Sequence, residues 1–374
     1  LSQSQASDWF ALLAAGVLPA LLLARRADRS GRRRLLVVSI AGLTAATAAS
    51  AAAPTIESFA VCQLCAQAFA ALDGTLTWTM IAEEFPAGAR GFGFGVLAML
   101  NALGAGTASL GWGLILSPLG LSWRWLYVAA TPVLLVAAFM RRLVPESSRF
   151  EAAAASGRLA ATWRSLFRPP HGRLLIVVCA AAAFGALLTQ ASVFVIDFMQ
   201  TQRHLSAPVA NLILVGAGAL ALPVLIWAGS ISDRLGRKRI GCSFLAVGVA
   251  GALLFFFVAR GPLGFFLALA VTYVGQFGAW PTLSGFSTEL FPTSHRALAN
   301  SAAGIASVAG QSASFLLAGW LIGVTGSLSR SVAVLAAGPL IALVIVAAGF
   351  PETAGRELEV TARELDPAAP PDPA

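Results

Sequence analysis

Residues 229–238, "GSISDRLGRK", set one acid and two glycines among clustered positive charges, and residues 24–33, "ARRADRSGRR", nearly repeat them. Asp233 follows Asp28 by 205 residues. A matching interval returns twice more. Glu83, Pro86 and Arg90 of "EEFPAGAR" align with Glu289, Pro292 and Arg296 of "ELFPTSHR" at a spacing of 206, and Pro145-Glu146 aligns with Pro351-Glu352 at 206. Three signatures on one period mark two homologous halves.

The composition says what kind of halves these are. Of 374 residues 57% are hydrophobic and 11% charged, against roughly 25% charged in soluble domains, so the chain is expected to be an all-α membrane protein. A bilayer core takes about 20 apolar residues per helix. Eleven spans of that kind are expected near 8–24, 35–53, 56–82, 92–116, 122–143, 173–200, 208–231, 239–259, 262–288, 298–323 and 330–350. They divide the chain into a first half at 1–143, a connecting loop at 144–172, a second half at 173–350 and a tail at 351–374. Alternate loops carry 21 of the 25 Lys and Arg residues. That bias assigns the arginine-rich side to the cytoplasm, with Leu1 outside and Ala374 inside. The net charge of +8 then needs no nucleic acid. Only 27 residues precede Asp28, whereas two spans precede Asp233 in its half, so the first half is expected to lack its first helix. Arg outnumbers Lys 24 to 1, which points to a GC-rich bacterial source and its cytoplasmic membrane.

With those motifs in place the chain resembles the major facilitator superfamily over nearly its whole length. Both charged strings resemble the G-x-x-x-D-[RK]-x-G-[RK]-[RK] signature, although the first has Ala24 where glycine is usual. "PESSR" at 145–149 and "PETAGR" at 351–356 are similar to the motifs that follow the sixth and twelfth spans of sugar porters and their relatives. "ELFPTSHR" leans toward the metabolite:proton symporter and synaptic-vesicle-protein-like branches. The resemblance implies the major facilitator fold of two parallel six-helix halves, with the eleven spans standing for spans two to twelve. It further implies that Asp28, Gly31 and Arg32, with Asp233, Gly236 and Arg237 as counterparts, latch the halves together on the cytoplasmic side. Arg32, Arg33 and Arg90 are the expected donors to Asp28, and Gly31 and Gly236 permit the tight loop. Glu83 and Glu289 are expected to complete an ion-pair network with Glu146, Arg149, Arg296, Glu352 and Arg356.

Substrate is expected near the midplane between the halves, which the resemblance maps to spans one, four, seven and ten. The candidates there are Gln63, Gln67, Gln190, Gln276 and Trp280, each of which could instead serve as packing between helices. Sugar porters carry a Q-Q-x-x-G-x-N string in span seven; here Gln190 alone stands in that region. Span five lacks the Gly-Pro pair of drug/proton antiporters, which favours uptake. Asp73 lies ten residues, about 15 Å, before Glu83 along a helix, and a carboxylate so placed is costly unless paired or protonated. It is the candidate for proton coupling, with a helix-packing hydrogen bond as the alternative. Asp197 is expected to form an interfacial ion pair with Arg203 or His204. Cys62 and Cys65 read as small packing residues rather than a metal or redox pair.

The expected function is secondary transport of a small organic metabolite by alternating access, coupled to a proton gradient in symport. No cofactor or metal is expected, and the only partners are the substrate and the bilayer, with the chain acting as a monomer. A uniporter or efflux carrier of the same fold remains open, and so does a transporter-like receptor. An enzyme is disfavoured, because His171, His204 and His295 fall in loops far apart in sequence and no nucleophile elbow or H-E-x-x-H string is present.

Overall fold

The protein is seen in a computed structural model, which describes residues 31–116, 119–147, 151, 167, 171–188, 194–292 and 295–356. The expected span at 8–24, the loop around Arg149, the end of the tail, and the candidates Asp28, Arg149 and Gln190 lie outside the described residues. Ten helices among the described residues are long and apolar enough to cross a membrane.

The first half contributes α1 (Arg32–Ala52), α2 (Ile56–Glu84), α3 (Arg90–Leu110, extended by a π turn at Gly111–Leu116) and α4 (Arg124–Arg141). From the second half come α5 (His171–Gly185), α6 (Ala207–Leu235), α7 (Arg237–Leu253, extended by a π turn at Leu254–Val258), α8 (Gly261–Ser284) and α9 (Arg296–Thr325). The last span is broken at Ala336 into α10 (Leu328–Leu335) and α11 (Ala337–Gly349). Within the expected span at 173–200, α5 passes into a 3₁₀ turn at Ala186–Leu188; residues 189–193 lie outside the described residues, and beyond them helical structure runs through Val195–Asp197 into a π turn at Phe198–Gln202.

Helix starts follow local chemistry. Thr55 caps α2 in a reciprocal box with Ser58, each side chain bonding the other's backbone N–H, which satisfies donors that a helix leaves open. Gly31 and Gly236 precede α1 and α7 with φ of 97° and 104°, a region that side chains disfavour. Prolines 132, 223 and 281 sit inside α4, α6 and α8, as membrane helices tolerate where neighbours compensate the lost bond.

Within the first half α1 packs on α2 and α4; in the second, α8 packs on α6 and α7, while α5 packs on α9 and α11. The halves meet where α3 crosses α6 and where α2 meets α9. Helix α4 has no buried residue, and Val133, Val136 and Phe139 on it are each more than 60% exposed. Such a surface suits hydrocarbon and would be unstable in water.

Candidate functional site

The arginine-rich end of the molecule is built twice, once in each half. In the second half Glu352 accepts from the backbone N–H of Arg237 at 2.8 Å and of Lys238 at 3.2 Å, capping the start of α7. In the first, Glu146 accepts from the backbone N–H of Arg32 at 2.9 Å and of Arg33 at 3.2 Å, capping α1. A carboxylate at a helix N-terminus meets open donors and the positive end of the helix dipole. Below these caps Arg32 pairs with Glu83 at 2.9 Å, and Arg237 lies 2.7 Å from Glu289 without hydrogen-bond alignment at that oxygen. Ser147 donates to Glu83, and Thr353 donates to Glu289 at 2.7 Å. Arg90 Nε reaches back to the carbonyl of Ala82, eight residues earlier, and Arg296 Nε does the same to Thr288. Arg32, Arg90, Arg237 and Arg296 are all at most 1% exposed. Burial pushes the Glu289 carboxyl above its ordinary range, and the Arg237 guanidinium and the Thr353 hydroxyl oppose that rise.

Among the described residues, several contacts then join one half to the other. Asp233 accepts from the backbone N–H of Gly91 at 3.0 Å and of Phe92 at 3.2 Å, at the start of α3, while Arg237, one turn on, holds the same carboxylate at 3.0 Å. Arg296 pairs with Glu83 at 3.0 Å. Arg90 Nη1 donates to the carbonyl of Arg356 at 3.0 Å. The Arg237 guanidinium lies 5.6 Å from the ring centre of Phe94. Close approach makes this possible: a Cβ on Gly91 would run into the carbonyl of Gly229, and a Cβ on Gly229 into that of Gly91.

The expected network is therefore refined. Glu146 and Glu352 bind backbone amides rather than arginine side chains, and Arg356 contributes its carbonyl. Arg33 stays within the first half, its Nη2 donating to the carbonyl of Arg142 at 2.7 Å. Gly91 was not singled out from the sequence; the string "RGFGFG" at 90–95, with glycines alternating along a helix start, was the available signal.

Beneath this end, α2 and helices of the second half line an open cavity of about 770 Å³. Gln276 and Trp280 of α8 line it, as expected. Thr75 and Trp78 of α2 and Asn300, Ser301, Ser307 and Gln311 of α9 line it too, and sequence reasoning had missed them. Asn300 Nδ2 donates to the carbonyl of Thr75 at 3.2 Å, a further bond between the halves.

The remaining candidates lie elsewhere. Gln63 Nε2 donates to Ser50 on α1 at 2.9 Å; Gln67 is exposed, and neither lines the cavity. Asp73 is not on the cavity face. At 100° per residue it lies roughly opposite the cavity-lining positions 71, 74, 75 and 78. Instead its carboxylate meets Arg141 of α4 at 3.1 Å and the hydroxyl of Ser39 on α1 at 3.3 Å. Arg141, 68 residues further along the chain than Asp73, supplies the counter-charge. Asp197 does not form the expected interfacial pair; the Arg203 guanidinium lies 5.2 Å from the ring centre of Phe198. His171 and His295, remote in sequence, come together with ring centres 5.7 Å apart. Cys62 and Cys65 are free thiols on α2.

Comparison with known proteins bears on the family and the fold. The family model of the Major Facilitator Superfamily matches residues 1–198 and 187–371. Among solved structures, the proton:xylose symporter XylE bound to 6-bromo-6-deoxy-D-glucose superposes with a TM-score of 0.77 at 18% identity, over 96% of this chain and 90% of that one. The human organic anion transporter MFSD10 gives 0.76 at 16% identity, over 91% and 83%. FucP in its outward conformation gives 0.72 at 15%, over 92% and 88%. A curated relative, the puromycin resistance protein pur8 of Streptomyces alboniger, is 34% identical over 130 residues. That match spans 34% of this chain and 25% of the relative's length.

Proposed function

The chain belongs to the Major Facilitator Superfamily, and we propose that it is a secondary transporter moving a small organic molecule by alternating access, coupled to protons in symport. Membrane transport of small substrates is what family and fold carry. The single observation that supports alternation here is the set of contacts joining the halves above the cavity, from Asp233 to the Gly91 and Phe92 amides and from Arg296 to Glu83. Alternating access requires contacts that one state makes and the other breaks. Taking the arginine-rich end as cytoplasmic, the structure is the cytoplasm-closed state. The chain would act as a monomer in a bacterial cytoplasmic membrane.

Proton coupling rests on Asp73, set in mid-helix between α1 and α4. Protonation would remove the charge that holds Arg141 and would alter how α1, α2 and α4 pack. A proton bound there would act on the first half's shape rather than on the substrate directly.

The test needs no substrate. A single cysteine at Trp280, in the cavity, is treated with a membrane-impermeant thiol reagent from either face of oriented vesicles. Alternating access predicts labelling from both faces. Labelling from one face only would contradict it.

A further inference from the structure

In the middle of α2 the two halves stop matching. Arg141 Nη2, reaching from the end of α4, donates to Asp73 Oδ2 at 3.1 Å and to Thr77 Oγ1 at 3.0 Å. Thr77 lies one turn beyond Asp73 on the same face of α2, and Ser39 Oγ of α1 donates to the other carboxylate oxygen at 3.3 Å. Helices α3 and α9 also touch α2. Among the described residues, the charged group that meets Asp73 is Arg141 of α4, and α1 brings the uncharged Ser39.

On the interval of 206 that relates Glu83 to Glu289, Asp73 falls on Ala279, Thr77 on Leu283 and Arg141 on Ala347. On the interval of 205 that relates Arg32 to Arg237, Ser39 falls on Phe244. All four polar residues thus have apolar counterparts, which sit on matching helices, α7, α8 and α11 for α1, α2 and α4. Phe244 and Ala279 are buried together, with Leu283 packed against them. The second half therefore builds the same crossing without charge. Packed apolar residues in place of a buried ion pair are often as stable or more so, so stability alone does not account for the polar set in the first half.

We propose, resting on the reading of Asp73 as the proton site, that Arg141 and Thr77 are its positioning residues: Arg141 keeps the carboxylate charged, and Thr77 seats the arginine while the proton is bound. Uptake of a proton from water turns the Asp73 carboxylate into a neutral acid and removes its pull on the guanidinium; release of the proton restores both. A guanidinium at this depth is costly without an acceptor, and Thr77 Oγ1 supplies one that does not depend on the proton. Each proton then loosens α4 on α2 without driving a bare charge out of the helix interface.

The test is infrared titration of the full-length protein in nanodiscs, in which the carbonyl stretch of a protonated carboxyl that disappears in Asp73→Asn reports Asp73. Arg141→Ala should raise the midpoint of that band by at least about one pH unit, because the opposite charge beside the carboxylate is gone. Arg141→Lys should bring it most of the way back. Thr77→Val should move the midpoint the other way, down by about half a unit, because neutral Asp73 then leaves Arg141 poorly paired; Thr77→Ser should return it to the parent value. Opposite shifts are a result that loss of packing does not give. The near-isosteric Thr77→Val carries the test alone if Arg141→Ala does not fold. A midpoint unmoved or raised by Thr77→Val, or unmoved or lowered by Arg141→Ala, would overturn the assignment while leaving Asp73 as a proton site. If Asp73→Asn removes no titrating band, the proton reading falls and this proposal falls with it.

Discussion

Glu83 ties the two halves together at the closed end. It is fully buried, holds Arg32 of its own half and Arg296 of the other, and accepts from Ser147. Removing one partner of a buried pair leaves the others uncompensated, which costs about 3–5 kcal/mol. Glu83→Gln should therefore lower the Tm of the detergent-solubilised protein substantially and expose a cysteine at Trp280 more to the arginine-rich side; an unchanged Tm and labelling pattern would show that the network holds nothing shut. At Asp73 the readout is transport. If its protonation drives accumulation, Asp73→Asn in the full-length protein should abolish uphill, pH-driven uptake while equal-pool exchange continues, because exchange moves no net proton. Asn can still bond Ser39, so the fold should survive. Uphill uptake at the wild-type rate would remove Asp73 from the coupling.

At the scale of helices, the close crossing of α3 and α6 depends on glycine, and the sequence marks that in one place. The second copy of the repeated motif keeps Gly229 where the first has Ala24, and Gly229 is where the backbone touches Gly91. Gly229→Val should hold these helices apart and favour the cytoplasm-open state, seen as faster labelling from the arginine-rich side. Gly218→Val, on the same helix with open space at its Cβ, is the matched control and should leave labelling unchanged. A second helix-end contact titrates. Burial, with His171 beside it, lowers the His295 pKa from 6.5 to about 4, so the folded protein resists a proton that the unfolded chain accepts. Stability should be full above about pH 6.5 and fall as pH drops toward 4, and His295→Gln should flatten that slope in a thermal-melt series; an identical slope in the variant would contradict the assignment. Which helices exist was legible, since a run of about 20 apolar residues has few other uses. Which face each helix turns inward was not. A span surrounded by lipid and protein is apolar all round, so nothing in α2 told Asp73 from Thr75, and Arg141 read as one more topology signal. The period of 206, by contrast, paired Glu83 with Glu289 and Arg90 with Arg296, and those four residues do occupy matching places at the closed end.

At the scale of the whole molecule, the described residues form two similar halves joined by packed helices and buried polar bonds at the arginine-rich end, with a cavity beneath the join. The repeat, the charge bias and the family resemblance made that plan readable from sequence. Asn300, Ser301 and Thr75, by contrast, look like ordinary small polar residues until the halves are docked. The central claim is that the join opens and closes. It is tested most directly by the distance across it, from double electron–electron resonance between spin labels at Leu143 and Leu235, exposed positions at the arginine-rich end of each half, in a background without Cys62, Cys65, Cys179 and Cys242. The account predicts a short and a long population, with Asp233→Asn shifting weight to the long one because the bonds to the Gly91 and Phe92 amides weaken. A single short distance, unchanged by Asp233→Asn, would contradict it.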